Sequence, residues 1–131
     1  RNAIAKKIKG HMAGFVAKIG KFTDRINTVL AVTAKITANL EALGKAGADV
    51  AQVKSLVQTI EGDANQLKSF FSKMADKMKQ FIAIENPDEA FKFLEGGGFS
   101  GGEADNNAKI ADRMISNLEK LEKLMNNVVK K

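Results

Sequence analysis

The sequence predicts an all-α protein, an antiparallel up-down-up bundle of three long helices with one short extra helix and a glycine-rich loop. Three observations predict it. Apolar residues recur at alternating steps of four and three along three separate stretches, the rhythm of helices that pack through a seam. Only one proline interrupts the 131 residues. The stretches are divided by short Gly-, Asn- and Asp-containing segments of the kind that stop one helix and start the next.

The first stretch runs Ile8, Met12, Phe15, Ile19, Phe22, Ile26, Val29, Thr33, Ile36, Leu40, Leu43, with Thr33 as its one polar member. This 3.5-residue period predicts one unbroken helix over about 2–43, roughly 60 Å long at 1.5 Å per residue. Gly44 is placed to end it in the left-handed conformation. Asp49, with Gln52 three residues on, is expected to cap the return helix. So short a connection makes the two helices a hairpin over 2–84.

The second helix carries the seam Val50, Val53, Val57, Ile60, Ala64, Leu67, Phe71, Met74, Met78, Phe81. Gly62 lies off that seam, where a close neighbour would account for it. Asn86-Pro87-Asp88-Glu89 resets the chain, with Asn86 as cap and Pro87 in the first helical position, and opens a short helix over 87–95. Residues 96–102 hold five glycines in seven and are expected to form a loop with Phe99 as a candidate anchor. A last helix over 104–129 has the seam Ala111, Met114, Leu118, Leu121, Met125, Val128, widened by Ile110, Ile115 and Leu124. All of 1–131 reads as one bundle domain. Because the last helix is the shortest of the three, the hairpin tip at Gly44–Asp49 is expected to protrude uncovered.

Composition excludes several chemistries. With no cysteine there is no thiol catalysis, disulfide framework or thiolate metal site. His11 is the one histidine, and Lys7 and Phe15 stand where a second helical ligand would have to be. Glu61/Asp63 and Glu103/Asp105 are spaced by two and point to different sides of a helix, so neither is an acid/base pair. The glycine-rich segment lacks the Lys-Ser/Thr and the preceding strand of a phosphate cradle. The sequence therefore predicts no enzyme, and no catalytic, cofactor-binding or metal-ligating residues.

The net charge of +6 is concentrated in residues 1–43, where eight Lys/Arg face two acids, while the rest of the chain is balanced. Arg1, Lys6, Lys7, Lys9, Lys18 and Lys21 all precede the first acid, Asp24. With Phe15, Ile19 and Phe22 they resemble an interfacial amphipathic helix, and Lys6, Lys7, Lys9, Lys18 and Lys21 are the candidate contacts to an anionic membrane or polymer surface. The same apolar stripe also serves as the bundle seam, leaving the lysines as a solvated end. Nucleic acid is not expected, since only Arg25 and Arg113 lie beyond the terminal Arg1 and aromatic interleaving is missing.

The outer face of the first helix is unusual. Gly10, Ala13, Gly14, Ala17, Gly20, Ala31, Ala34, Ala38 and Ala42 occupy positions where a solvated helix ordinarily carries Lys, Glu and Gln. Three such glycines cost about 2–3 kcal/mol of helix propensity. A second helix approaching closely would account for them, which makes Gly10, Ala13, Gly14, Ala17, Gly20, Ala31, Ala34 and Ala38 the candidate assembly face. Alternatively, alanine stands there as a strong helix former and the glycines are tolerated.

The stretch from Arg25-Ile26 through Leu40-Glu41-Ala42-Leu43-Gly44-Lys45-Ala46-Gly47-Ala48-Asp49-Val50 to Leu56 resembles uncharacterised extracytoplasmic helical-hairpin proteins of small-genome bacteria. It covers about a quarter of the chain. The resemblance implies an envelope or secreted setting and supplies no activity. No run approaches the about 18 apolar residues of a membrane span. A chain opening on Arg1 fits a processed mature form or a fragment of a longer one. The expected function is thus a structural or self-assembling protein, its partner a second copy in an oligomer or filament, with docking on an anionic surface as the alternative.

Overall fold

The computed structural model describes residues 2–44, 46–96 and 101–130. They form four helices, α1 (Asn2–Leu43), α2 (Ala48–Ala83), α3 (Pro87–Glu95) and α4 (Gly101–Lys130), and no strand occurs among them. Helix α1 packs on α2 and on α3, and α4 packs on α2. One hydrophobic core joins Ile26 and Leu40 of α1, Val53, Val57, Ile60 and Leu67 of α2, and Ile110, Met114, Leu121 and Val128 of α4.

The predicted seam of α1 is half used. Ala5, Ile19, Ile26, Thr33 and Leu40, spaced by multiples of seven, are buried, as a heptad repeat requires of the row that faces its partner. Val16, Thr23, Leu30 and Thr37 are half-buried on one side of that row, and Ile8, Val29 and Ile36 on the other. Thr33 is fully buried, and its hydroxyl is satisfied within its own helix by the Leu30 carbonyl at 3.0 Å. Phe15, Phe22 and Leu43 were expected in the core and are instead 54%, 43% and 65% exposed. Their row lies at the margin of the contact with α2: Val29 and Ile36 within it are half-buried against the core, while Phe15, Phe22 and Leu43 keep much of their surface in water.

The turn after α1 forms as expected at one end only. Gly44 takes φ 61° and its N–H bonds the Glu41 carbonyl at 3.1 Å. The return helix is capped by Gly47 rather than Asp49: Gly47 holds φ 123° and its carbonyl accepts from Ala51 N–H, so α2 starts at Ala48. This earlier start places Asp49 inside the first turn, where its carboxylate favours the positive end of the helix dipole. The predicted seam of α2 is buried at Val50, Val53, Val57, Ile60, Ala64, Leu67, Met78 and Phe81 and half-buried at Phe71 and Met74, with Asp63 buried beside it. Gly62 has no close neighbour, and a Cβ there would meet nothing within 4 Å.

Helix α2 ends at Ala83, and its C-cap Ile84 turns extended. Its carbonyl accepts from Lys9 Nζ of α1. Asn86 then caps α3, accepting from the N–H groups of Asp88 at 2.9 Å and Glu89 at 3.3 Å, with Pro87 opening the helix. Ala90 of α3 is buried and Phe93 stands 6.2 Å from Phe81, so α3 closes over the end of α2 that lies beside the start of α1.

Helix α4 begins at Gly101, inside the segment expected to be loop, and runs to Lys130. The remaining loop positions, Phe99 among them, fall at 97–100 and lie outside the described residues. Its buried row is Asn107, Ile110, Met114, Asn117, Leu121, Val128, rotated from the predicted one. Ala111, Leu118 and Met125 are half-buried, and Ile115 is 54% exposed. The hairpin tip is exposed as expected, at 41–44 and 46–48 with Leu43 at 65%, and α4 reaches to just below it: Leu124 lines a cleft with Gln52 and Leu56, and Val128, one turn further, is buried in the core that holds Val50. Helix α4 also leaves the opposite end open, because it starts beside Phe70 and Phe71. The accessible surface, 8589 Å², exceeds the about 6,700 Å² expected of a compact chain of this mass, as three extended helices with an open side require.

Candidate functional site

Helix α1 carries both predicted faces. Gly10, Ala13, Gly14, Ala17, Gly20, Ala31, Ala34 and Ala38 are all exposed. An added Cβ at Gly10, Gly14 or Gly20 would touch nothing within 4 Å. The small residues therefore line up on a flank that none of the protein's own described helices covers.

The basic cluster divides. Lys6, Lys7, Lys18 and Lys21 are exposed, as is His11. Lys9 is half-buried, and its ammonium donates to the carbonyl of Ile84, the C-cap of α2. It is a correction to the expected surface set: Lys9 holds the fold together by satisfying a helix-end acceptor that would otherwise need water. Lys18 lies over the Phe15 ring at 5.6 Å from its centroid, a cation–π arrangement.

Sequence periodicity missed three features. Ile4, Phe15 and Phe22 form an exposed apolar edge on the first half of α1, which the seam reading had assigned to the interior or not used. Phe22 stacks on Phe71 at 5.8 Å, and Phe71 meets Phe70 at 5.6 Å, so the edge runs into the core through a chain of rings. Asp63 is buried to 7% side-chain exposure and receives both Nε (2.9 Å) and a terminal nitrogen (2.5 Å) of Arg113. That hydrogen bond, and next the carboxylate charge, hold the Arg113 guanidinium above its ordinary pKa, against a smaller effect of desolvation.

The third feature is Asn107. Its Nδ2 donates to the Glu103 carbonyl at 2.8 Å, while its buried Oδ1 has no protein partner. It borders a cleft of about 260 Å³ lined also by Gln66, Ser69, Phe70, Lys73, Glu103 and Asn106. Among the described residues no three His, Cys, Asp or Glu gather as metal ligands, and no helix is long and apolar enough to cross a membrane. The arrangement offers surfaces: a flank of small residues and a cationic, apolar edge, both on α1.

No protein-family model matches the chain, and no curated protein or solved structure is significantly similar to it.

Proposed function

We propose that this is a non-enzymatic structural protein that self-associates through the small-residue flank of α1. The three long helices form an antiparallel up-down-up bundle in this reading. Positions that rise along α1 pair with positions that fall along α2, as Lys9 with Ile84 and Phe22 with Phe71 illustrate. Asp63 with Arg113, and Leu56 beside Leu124, relate α2 and α4 in the same sense. In this reading the protein works in the cell envelope or secreted space, as the resemblance of the hairpin to extracytoplasmic proteins implies.

One observation carries the reading: Gly10, Gly14 and Gly20 sit in a helix interior with open space around each. Each costs about 1 kcal/mol relative to alanine, and packing inside the protomer returns none of it. A second copy whose backbone comes close does return it, because a flank of Gly and Ala lets two helix axes approach.

Light scattering on a sizing column over a range of concentrations tests this. The natural chain is expected to form oligomers as concentration rises, and Gly14→Leu and Gly20→Leu to remain monomeric while gaining thermal stability. A natural chain that stays monomeric throughout overturns the proposal.

A further inference from the structure

Ile4, Phe15 and Phe22 are exposed by 56%, 54% and 43%, and each has a basic side chain one helical turn away. Lys7 follows Ile4 by three residues, Lys18 lies between Phe15 and Phe22 at three and four residues, and Arg25 follows Phe22 by three. Residues at these spacings are neighbours on a helix surface. The basic residues of this set are all exposed, and no acid occurs before Asp24. We propose that this edge of α1 is a docking site for the surface of an anionic lipid bilayer.

The occupant follows from combining two kinds of contact. An apolar row flanked by lysines matches a bilayer interface, where rings and aliphatic groups enter the acyl boundary about 5–10 Å deep and ammonium groups remain among the phosphates. Lys18 over the Phe15 ring shows the geometry on a small scale, an apolar body with its charge held at the rim. A soluble polyanion would use the cations and leave Ile4 and Phe15 in water. A second copy meeting this edge with its own would bring Lys7, Lys18 and Arg25 of both chains together, which like-charge repulsion opposes. The edge is open because α4 begins only beside Phe71, so no third long helix covers the first turns of α1. The docking edge and the assembly flank meet at Gly14, which shares a helical row with Lys7, while Ala13, Ala17 and Gly20 lie on the other side of the exposed half of the helix.

Flotation of the full chain with vesicles of mixed phosphatidylglycerol and phosphatidylcholine, beside phosphatidylcholine alone and soluble heparin, tests the proposal. Binding to the mixed vesicles alone is expected. It should weaken as ionic strength rises from about 0.1 M to about 1 M, which shortens the screening length from about 10 Å to about 3 Å. Lys18→Ala should lower the partition coefficient about fivefold, and Ile4→Ser with Phe15→Ser about tenfold. These side chains are more than half exposed, so the variants should retain the helical circular dichroism of the natural chain, and Lys35→Ala should bind as the natural chain does. Equal binding to neutral vesicles overturns the electrostatic part. Unchanged binding by the Ile4/Phe15 variant, or heparin binding as tight as vesicle binding, shows a polyanion site and overturns the bilayer assignment.

Discussion

Arg113, more than half exposed, reaches across from α4 to grip Asp63 of α2 with two nitrogens, while Asp63 itself is almost wholly shielded from water. The two ends of this ion pair are therefore unequal. Arg113→Ala strands a buried carboxylate, whereas Asp63→Ala leaves a guanidinium that water can solvate. Arg113→Ala is expected to destabilise more than Asp63→Ala, and Asp63→Leu with Arg113→Leu to recover much of the loss. Urea unfolding of the single and double variants measures the difference. Equal losses from the two single substitutions would contradict the asymmetry.

Two glycines should respond to the same substitution with opposite signs. Gly62 lies in the middle of α2 with space for a methyl group, so Gly62→Ala should stabilise by about 0.5–1 kcal/mol. Gly44 has φ 61°, and there alanine should cost roughly 1–2 kcal/mol. Thermal unfolding of each variant decides the matter, and a loss at Gly62 would point to an unseen contact on α2.

Asn107 places an acceptor without a protein donor in the interface between α4 and α2. Asn107→Leu should raise stability by about 1 kcal/mol, since it removes the buried orphan and adds apolar surface beside existing clefts. A fall in the denaturation midpoint would show instead that a bound water satisfies Oδ1 and that Asn107 supports the packing.

Lys9 and Lys7 look alike in the sequence and should behave differently. Lys9→Ala leaves the Ile84 carbonyl without its donor and should destabilise the protein at low and high salt alike. Lys7→Ala should change stability by less than about 0.5 kcal/mol while weakening vesicle binding. Equilibrium unfolding at two ionic strengths, set beside flotation, separates the roles.

What the sequence made legible is what periodicity encodes. The rows Val50, Val57, Ala64 and Val53, Ile60, Leu67 were readable because every third or fourth position is apolar and each is buried. The cap at Asn86 was readable because proline and a side-chain acceptor coincide. Periodicity assigns residues to a face and does not say how many helices meet it, so Phe15 and Phe22 were expected in the core. The same limit hid Asn107 and Asn117, polar members of a buried row, whose omission rotated the predicted seam of α4. Both faces of α1 could be named from composition, but whether Lys9 pointed to solvent or to a carbonyl 75 positions away depends on the fold. The true N-cap was missed because Gly47 has no side chain to announce it.

Phe71 of α2 stands at a joint of three helices: it stacks on Phe22 of α1 and shares a cleft with Ala104 and Ala108 of α4. The chain contains neither Trp nor Tyr. A lone indole at this joint would be the sole strong near-ultraviolet emitter in the molecule, and its colour would report the departure of either helix from α2 without any further label.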